Sequence, residues 1–321
     1  MPGISIFLPF LATRPEHFIP YMALVQHSAA RRLWTGQPLS FDVNQGFAYA
    51  AGLGLRAPVG TAVSLMPLRH PFEAAMQARG LALTTGYPAV AGFGVGATAF
   101  QRAILGQPYA SPLTAVREYF HLVRRLLDGE LVDHDGEYFS MHGGQTKTPQ
   151  GRVELGAGVL RPGMAEVAGE VADVAITWLA PPRFIRDVLR PHLEKGAARA
   201  GRVAPRVVSV VPFALRRPGT DPVELVHRAN GRHLEAPHYG DMLRQAGVEV
   251  DAGDARARAR ALLDAGVFLY GDPREIASRL AAFDDAGVDE VALHLSSANA
   301  GQPMAHAVED LKATLEAVDS L

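Results

Sequence analysis

Short apolar runs recur along the chain, and most lead into a longer segment with helical spacing. That alternation constrains the fold more than any other feature, because it marks β/α units whose strands lie parallel. Eight units can be read. The first strand is ISIFLPF (4–10), and its helix runs from about Pro15 to Arg32 with Phe18, Tyr21, Met22 and Val25 on one face. The second strand is confined to Leu33–Thr35 and precedes a helix near VNQGFAYAAGLG. APVGTAVSLMP (57–67) is the third, followed by a helix opened at Pro71, whose missing N–H costs nothing in a first turn. PAVAGFGVG (88–96) is the fourth, and SPLTAVREYFHLVRRLLDG follows as a helix stopped by Gly129.

An irregular stretch then separates the halves, and its strongest local signal is the DGEYF hairpin. Strand five (152–158) and its helix come next, then strand six in DVAITWLA with a helix from about Pro182 to Ala200. Strand seven is PRVVSVVPFAL, followed by an insertion from 216 to 265. GDPREIASRLAAFDDAGV is a helix with an Asp-Pro start and a Gly287 stop, DEVALHLSS is strand eight, and AVEDLKATLEAV is the last helix. Eight units in 321 residues fit one domain over 1–321, a (β/α)8 TIM barrel of the α/β class with insertions, better than an open sheet of five or six strands.

Composition narrows the chemistry. There is no cysteine, which removes disulfides, thiolate catalysis and cysteine metal sites. A formal charge of −2 without blocks of like charge argues against nucleic acid or an anionic membrane as partner. No basic region precedes the first apolar stretch, and no window reaches the roughly 18 apolar residues of a membrane span, so a cytoplasmic protein is expected.

The functional residues of such a barrel come from the C-terminal ends of its strands, and what those ends lack is informative. A Schiff-base enzyme needs a strand-end lysine, yet the lysines are Lys147, Lys195 and Lys312, in a loop, at a helix end and on the last helix. A glycosidase needs two carboxylates across a sugar, and the ends of strands four to seven read GFGVG, GAGV, TWLA and PFAL. Metal-dependent hydrolysis asks for paired histidines or acids, whereas the twelve histidines are dispersed and His294 on strand eight stands alone, which favours core packing over ligation. No metal site is expected. What remains is a mouth of glycine, apolar side chains, Trp34 and Trp178, a surface for a large planar ligand that brings its own chemistry.

Two turns suit such a ligand. GFGVGA (92–97) ends strand four, where glycine admits a ligand close to the backbone or serves close packing; it lacks the downstream acid of a dinucleotide fingerprint. GAGVLRPGMAEVAG is the stronger candidate. N–H groups around Val159 to Met164 open a helix there, and Arg161 adds a charge-assisted donor, which suits a phosphate; an ordinary strand-to-helix turn with an exposed arginine is the competing reading.

The stretches GTAVSLMPLRHPFEAAMQARGLALTTG, AGFGVGA, DGEYF, AEVAGEVADVAI and GDPREIASRLAAFDDAGVDEVALH together resemble the bacterial luciferase-like superfamily of flavin- and coenzyme F420-dependent oxidoreductases, in family order over nearly the whole chain. The resemblance implies a TIM barrel whose mouth, with Trp34 and Trp178 in its lining, binds an isoalloxazine or deazaflavin ring. Carried over by position, the phosphate falls at Gly158, Val159, Leu160, Arg161 and Gly163 and near Gly94, Val95 and Gly96. The family often has a non-proline cis peptide in a bulge behind the ring, which here is expected within Thr61 to Ser64 (Ala62, Val63 and Ser64 facing the ring), first of all at Ala62–Val63. Homodimers are frequent in the family.

Members that oxidise alcohols or sugar phosphates usually have an acid or histidine after strand two and a glutamate after the strand-four glycines; here those places read WTGQ and GATAFQ. Arg161 also stands where glycine is usual. The resemblance therefore points to a reductase that takes hydride from reduced coenzyme F420 to an activated C=C or C=N bond of a small molecule or modified peptide, with Thr35 and Gln37 polarising the acceptor. Related enzymes tailor natural products, including dehydroamino acids in ribosomal peptides. The alternatives are an FMN-dependent monooxygenase, for which Arg102 is the nearby phosphate arginine, and a non-catalytic flavin-binding or interaction protein. His70, in the LRHP turn, is expected to be structural.

Overall fold

A computed structural model describes residues 1–146, 152–250, 254–296 and 304–320, so that Lys147 and the last residue of DEVALHLSS lie outside the described residues. The chain runs through β1 (Gly3–Phe7), α1 (Ile19–Gln26), β2 (Leu33–Thr35), α2 (Val43–Gly52), β3 (Val59–Thr61), β4 (Ser64–Leu65), α3 (Pro71–Thr85), β5 (Ala89–Gly94), α4 (Thr98–Leu105) and α5 (Pro112–Leu127). It continues through the hairpin β6 (Val132–Asp135) and β7 (Ser140–Gly143) to β8 (Val153–Gly158), α6 (Pro162–Val171) and β9 (Val174–Trp178). Next come α7 (Pro182–Phe184), α8 (Arg190–Arg199), β10 (Arg206–Leu215), α9 (Pro222–Glu235), α10 (Pro237–Gln245) and α11 (Ala255–Asp264). The chain ends in β11 (Leu269–Gly271), α12 (Pro273–Arg279), α13 (Ala281–Asp285), β12 (Glu290–Leu295) and α14 (Met304–Asp319).

Parallel pairings run β1–β2–β3–β5–β8–β9–β10–β12 and return to β1, closing the eight-stranded barrel expected from the alternation. Several elements differ from the sequence reading in detail. Strand three breaks into β3 and β4: Gly60 pairs with Val90 and Ser64 with Phe93, so the first strand carries one residue more than its partner. The Ala62–Val63 peptide inside that bulge is cis, at the place the resemblance implies. A short helix, α4, lies between strand four and the anticipated α5. The insertion is helical (α9 to α11), and β11 adds a ninth parallel strand outside the ring against β10.

Local chemistry sets the ends of these elements. His70 Nδ1 accepts the Phe72 N–H at 3.2 Å to cap α3, while its Nε2 lies 3.3 Å from the Ser140 carbonyl, so this histidine ties the helix to the β6–β7 hairpin. Asp272 and Glu275 form a capping box at α12. Between strands and helices lies the main apolar core; a second cluster of Trp34, Val90, Val174, Ile176, Val208, Val210 and Ala292 fills the barrel itself. Among the described residues no helix is long and apolar enough to cross a membrane.

Candidate active site at the barrel mouth

The bulge, the two glycine-ended strands and β9 converge at the C-terminal face. A Cβ built on Gly94 would lie 2.7 Å from Val63 Cγ2, and one on Gly158 would lie 3.5 Å from Val63 Cγ1. At Gly94 only the bare backbone of β5 leaves room for Val63, whereas a methyl at Gly158 of β8 would make ordinary contact with it. Trp178, at the end of β9, stacks on Phe7 with ring centroids 6.4 Å apart and meets His294 edge-on at 5.4 Å and His233 at 5.6 Å. Of the residues expected to hold a cofactor, the fold thus brings together Val63, Gly94, Gly158 and Trp178, with Ala62 packed against the same apolar cluster. Ser64 is buried in β4. Val95 and Gly96 follow β5, with Gly96 at φ 72° and its carbonyl accepting from Gln101 Nε2 at 2.9 Å.

Three expectations need correction. Trp34 does not line the mouth: its indole is fully buried inside the barrel and donates from Nε1 to Glu290 Oε1 at 2.6 Å, with the Arg32 guanidinium 5.3 Å from its ring. Thr35 is buried, and its hydroxyl donates to the Gly36 carbonyl at 3.3 Å. Gln37 is committed at both ends of its amide, donating to the Pro38 carbonyl at 2.9 Å and accepting from Arg69 Nη2 at 3.2 Å. Both side chains are thus engaged by the protein itself.

The β8–α6 turn has the expected course with different partners. The Val159 N–H is spent on the Ile176 carbonyl at 2.8 Å, while Gly163 and Met164, in the first turn of α6, have no acceptor within their helix. Leu160 packs against the core. Arg161, the residue just before α6, pairs with Asp241 of α10, which also holds Arg244. Arg102 is exposed on α4.

Two histidines complete the mouth: His294, expected as core packing, and His233, which the sequence did not single out. Burial pushes His294 down to about 4 and lowers His233 as well, so both imidazoles are neutral near pH 7. Trp178 Nε1 and His233 Nδ1 are buried without hydrogen-bond partners, two unmet polar groups beside the aromatic wall. His233 belongs to the insertion and His294 looked like core; no local pattern marks either as facing the mouth.

The depressed histidines fix an expected pH response. A folded value below the ordinary 6.5 stabilises the protein above about pH 6.5, and that contribution is lost as pH falls toward about 4. At about 1.4 kcal/mol per unit, discounted for partial exposure, His294→Phe should remove about 2 kcal/mol of the loss between pH 7.5 and 4.5. Urea unfolding of both proteins at the two pH values checks this, and equal acid losses would refute it.

A model of the luciferase-like monooxygenase family matches residues 14–290. The chain belongs to this family. Among curated relatives of this luciferase-like chain, the 5,10-methylenetetrahydromethanopterin reductase of Methanolobus tindarius is 31% identical over 156 residues, 49% of this chain and 47% of that protein. The enzyme of the same name from Archaeoglobus fulgidus is 29% identical over 119 residues, 37% of this chain and 35% of its own. The matches span about a third to a half of these relatives' length. Among solved structures, an F420-dependent secondary alcohol dehydrogenase in complex with an F420-acetone adduct superposes with TM-score 0.78 at 18% identity, covering 99% of both chains. That likeness supports the barrel.

Proposed function

We propose that the chain is an oxidoreductase of the luciferase-like type, a coenzyme F420-dependent reductase acting on an activated C=C or C=N bond of a small molecule. The mouth carries the reading. Val63 between Gly94 and Gly158 forms a narrow apolar seat suited to a planar ring, and the side chains that meet beside it are Phe7, Trp178, His233 and His294, none of them a carboxylate. An alcohol oxidation calls for an effective general base at this place, and the two histidines here are lowered in basicity by burial, whereas reduction of an activated double bond needs none. Support for a reductase over a monooxygenase comes from the relatives named as methylenetetrahydromethanopterin reductases, and F420 is the cofactor bound in the alcohol dehydrogenase that shares this barrel. A dehydroamino acid within a modified peptide is one acceptor of the proposed class.

When bound, the reduced deazaflavin supplies hydride, and holding donor and acceptor side by side does most of the work. The chain's own residues do the rest. Val63, Ala62, Gly94 and Gly158 hold the ring, and the N–H groups of Gly163 and Met164 take the phosphate at the start of α6. Because Arg161 is already matched by Asp241, the backbone carries more of that contact than the side chain. Phe7 and Trp178 exclude water, and neutral His294 offers a hydrogen bond to a heteroatom conjugated with the acceptor bond without introducing charge.

Tryptophan fluorescence of the purified protein tests the reading. Reduced coenzyme F420 is expected to quench it saturably and FMN not to, with most of the quench lost in Trp178→Phe. Tight FMN binding without affinity for F420 would overturn the cofactor choice in favour of the monooxygenase, and binding of neither would favour a non-catalytic member.

A further inference from the structure

A second cationic group faces the same end of the barrel and is not matched by the protein. Arg69 lies in the loop between β4 and α3, and its side chain is half-buried. Its Nε and Nη1 are buried and meet no hydrogen-bond partner, while Nη2 donates only to Gln37 Oε1, at 3.2 Å. No carboxylate among the described residues forms an ion pair with it, whereas buried Arg32 is met by Glu290 at 3.4 Å. A guanidinium withdrawn from water with two of its three nitrogens unmet is costly, and native chains rarely leave such groups without a counterpart.

Its surroundings hold it in place. Gln37 Nε2 is engaged by the Pro38 carbonyl at 2.9 Å and the Phe41 carbonyl at 3.5 Å, which fixes the amide so that Oε1 faces Nη2. Tyr119 Oη donates to the Arg69 carbonyl at 3.4 Å. Gln37 follows the C-terminal end of β2 and Arg69 that of β4, so both stand on the mouth side of the barrel. Going round the ring, β5 separates β3 from β8, which sets Arg69 apart from the β8–α6 turn and from Arg161.

We propose that Arg69, oriented by Gln37, is an oxyanion receptor at the mouth that takes a carboxylate or phosphate oxygen of a bound molecule. A charged acceptor is the counterpart these N–H donors lack, and the pairing is stronger where water is excluded. Gln37, expected to act on substrate, becomes a positioning residue for the arginine. The oxyanion comes either from the phosphate-linked tail of the cofactor or from the substrate; only the first source rests on the F420 reading.

The test follows Arg69 directly. In protein labelled with 15N-arginine, the Arg69 Nε–Hε signal, assigned by its loss in Arg69→Lys, is titrated with inorganic phosphate, acetate and chloride, and then with F420 and with the F420 chromophore lacking the phosphate-linked tail. Saturable shifts with phosphate or acetate but not chloride are expected. A cofactor source requires F420 to shift the signal and Arg69→Gln to weaken F420 about 10- to 100-fold with the tail-less chromophore unaffected. Equal F420 affinity in both proteins, with the phosphate or acetate shift retained, assigns the anion to the substrate. A signal that moves with none of these ligands, or only as it does with chloride, overturns the proposal, and wild-type titration gives that answer even if Arg69→Gln does not fold. Saturation by phosphate or acetate without any F420 binding would sink the cofactor reading and leave the receptor standing.

Discussion

Replacing Glu290 by alanine is expected to cost about 3–5 kcal/mol of stability, because it strips the counter-charge from a buried cluster. Glu290 opens β12 and is 1% exposed. Its Oε1 accepts from Ser5 Oγ at 2.7 Å and Trp34 Nε1 at 2.6 Å and lies 3.4 Å from Arg32 Nε, while Oε2 lies 3.6 Å from Arg206 Nη1. Burial already pushes Arg32 below its ordinary value. Without the carboxylate the Arg32 guanidinium loses its counter-charge while a hydroxyl and an indole N–H lose their acceptor, and each unmet buried group carries its own desolvation cost. Glu290→Gln keeps a carbonyl oxygen for Trp34 and should lose less. Urea unfolding followed by tryptophan emission measures both; an alanine variant within about 1 kcal/mol of the parent would show that the cluster relaxes onto water.

The same residues show what the sequence can and cannot express. The eight units and the DGEYF hairpin are legible because each depends on neighbours a few residues apart, whereas the bulge near Ala62 is expected from the family resemblance alone. Trp34 was misplaced for the opposite reason. Strand alternation says that a side chain faces inward or outward, but not how deep in the barrel it sits, and the partner that draws its indole down is Glu290, 256 positions away. Thr35 and Gln37 looked free because their acceptors are backbone carbonyls, which no residue type announces. His233 lies in an insertion without strand or turn signatures, and Arg69 in a turn whose pattern points to its neighbour His70, so only the closure of the ring brings them to the mouth. Arg161 is legible as a cation at a helix start, yet its match to Asp241 depends on how the insertion brings α10 to the β8–α6 turn.

Gly92→Ala should be nearly as damaging as the loss of Glu290, although it adds one methyl group. The new Cβ would fall well inside contact distance of the Thr61 carbonyl oxygen and 2.6 Å from Ile176 Cδ1. Ile176 can turn away, but the carbonyl belongs to the backbone that enters the bulge. Thr61 Oγ1 also accepts the Gly92 N–H at 2.9 Å and donates to the Gly92 carbonyl at 3.0 Å, replacing the ladder where β3 gives way to β4. Relieving the clash pulls on those bonds, so the cost should reach the upper end of overpacking, about 3 kcal/mol, and Val63 should move with the bulge. Gly158→Ala is the control. Its Cβ would meet Val63 at 3.5 and 3.6 Å, ordinary contact, so stability should change by less than about 1 kcal/mol while the methyl occupies the seat proposed for the ring. Stability lost at Gly92 and cofactor binding lost at Gly158 would separate the glycine that builds the bulge from the glycine that leaves room in front of it. Equal melting temperatures for the two variants would refute the packing argument, because both differ from the parent by the same group.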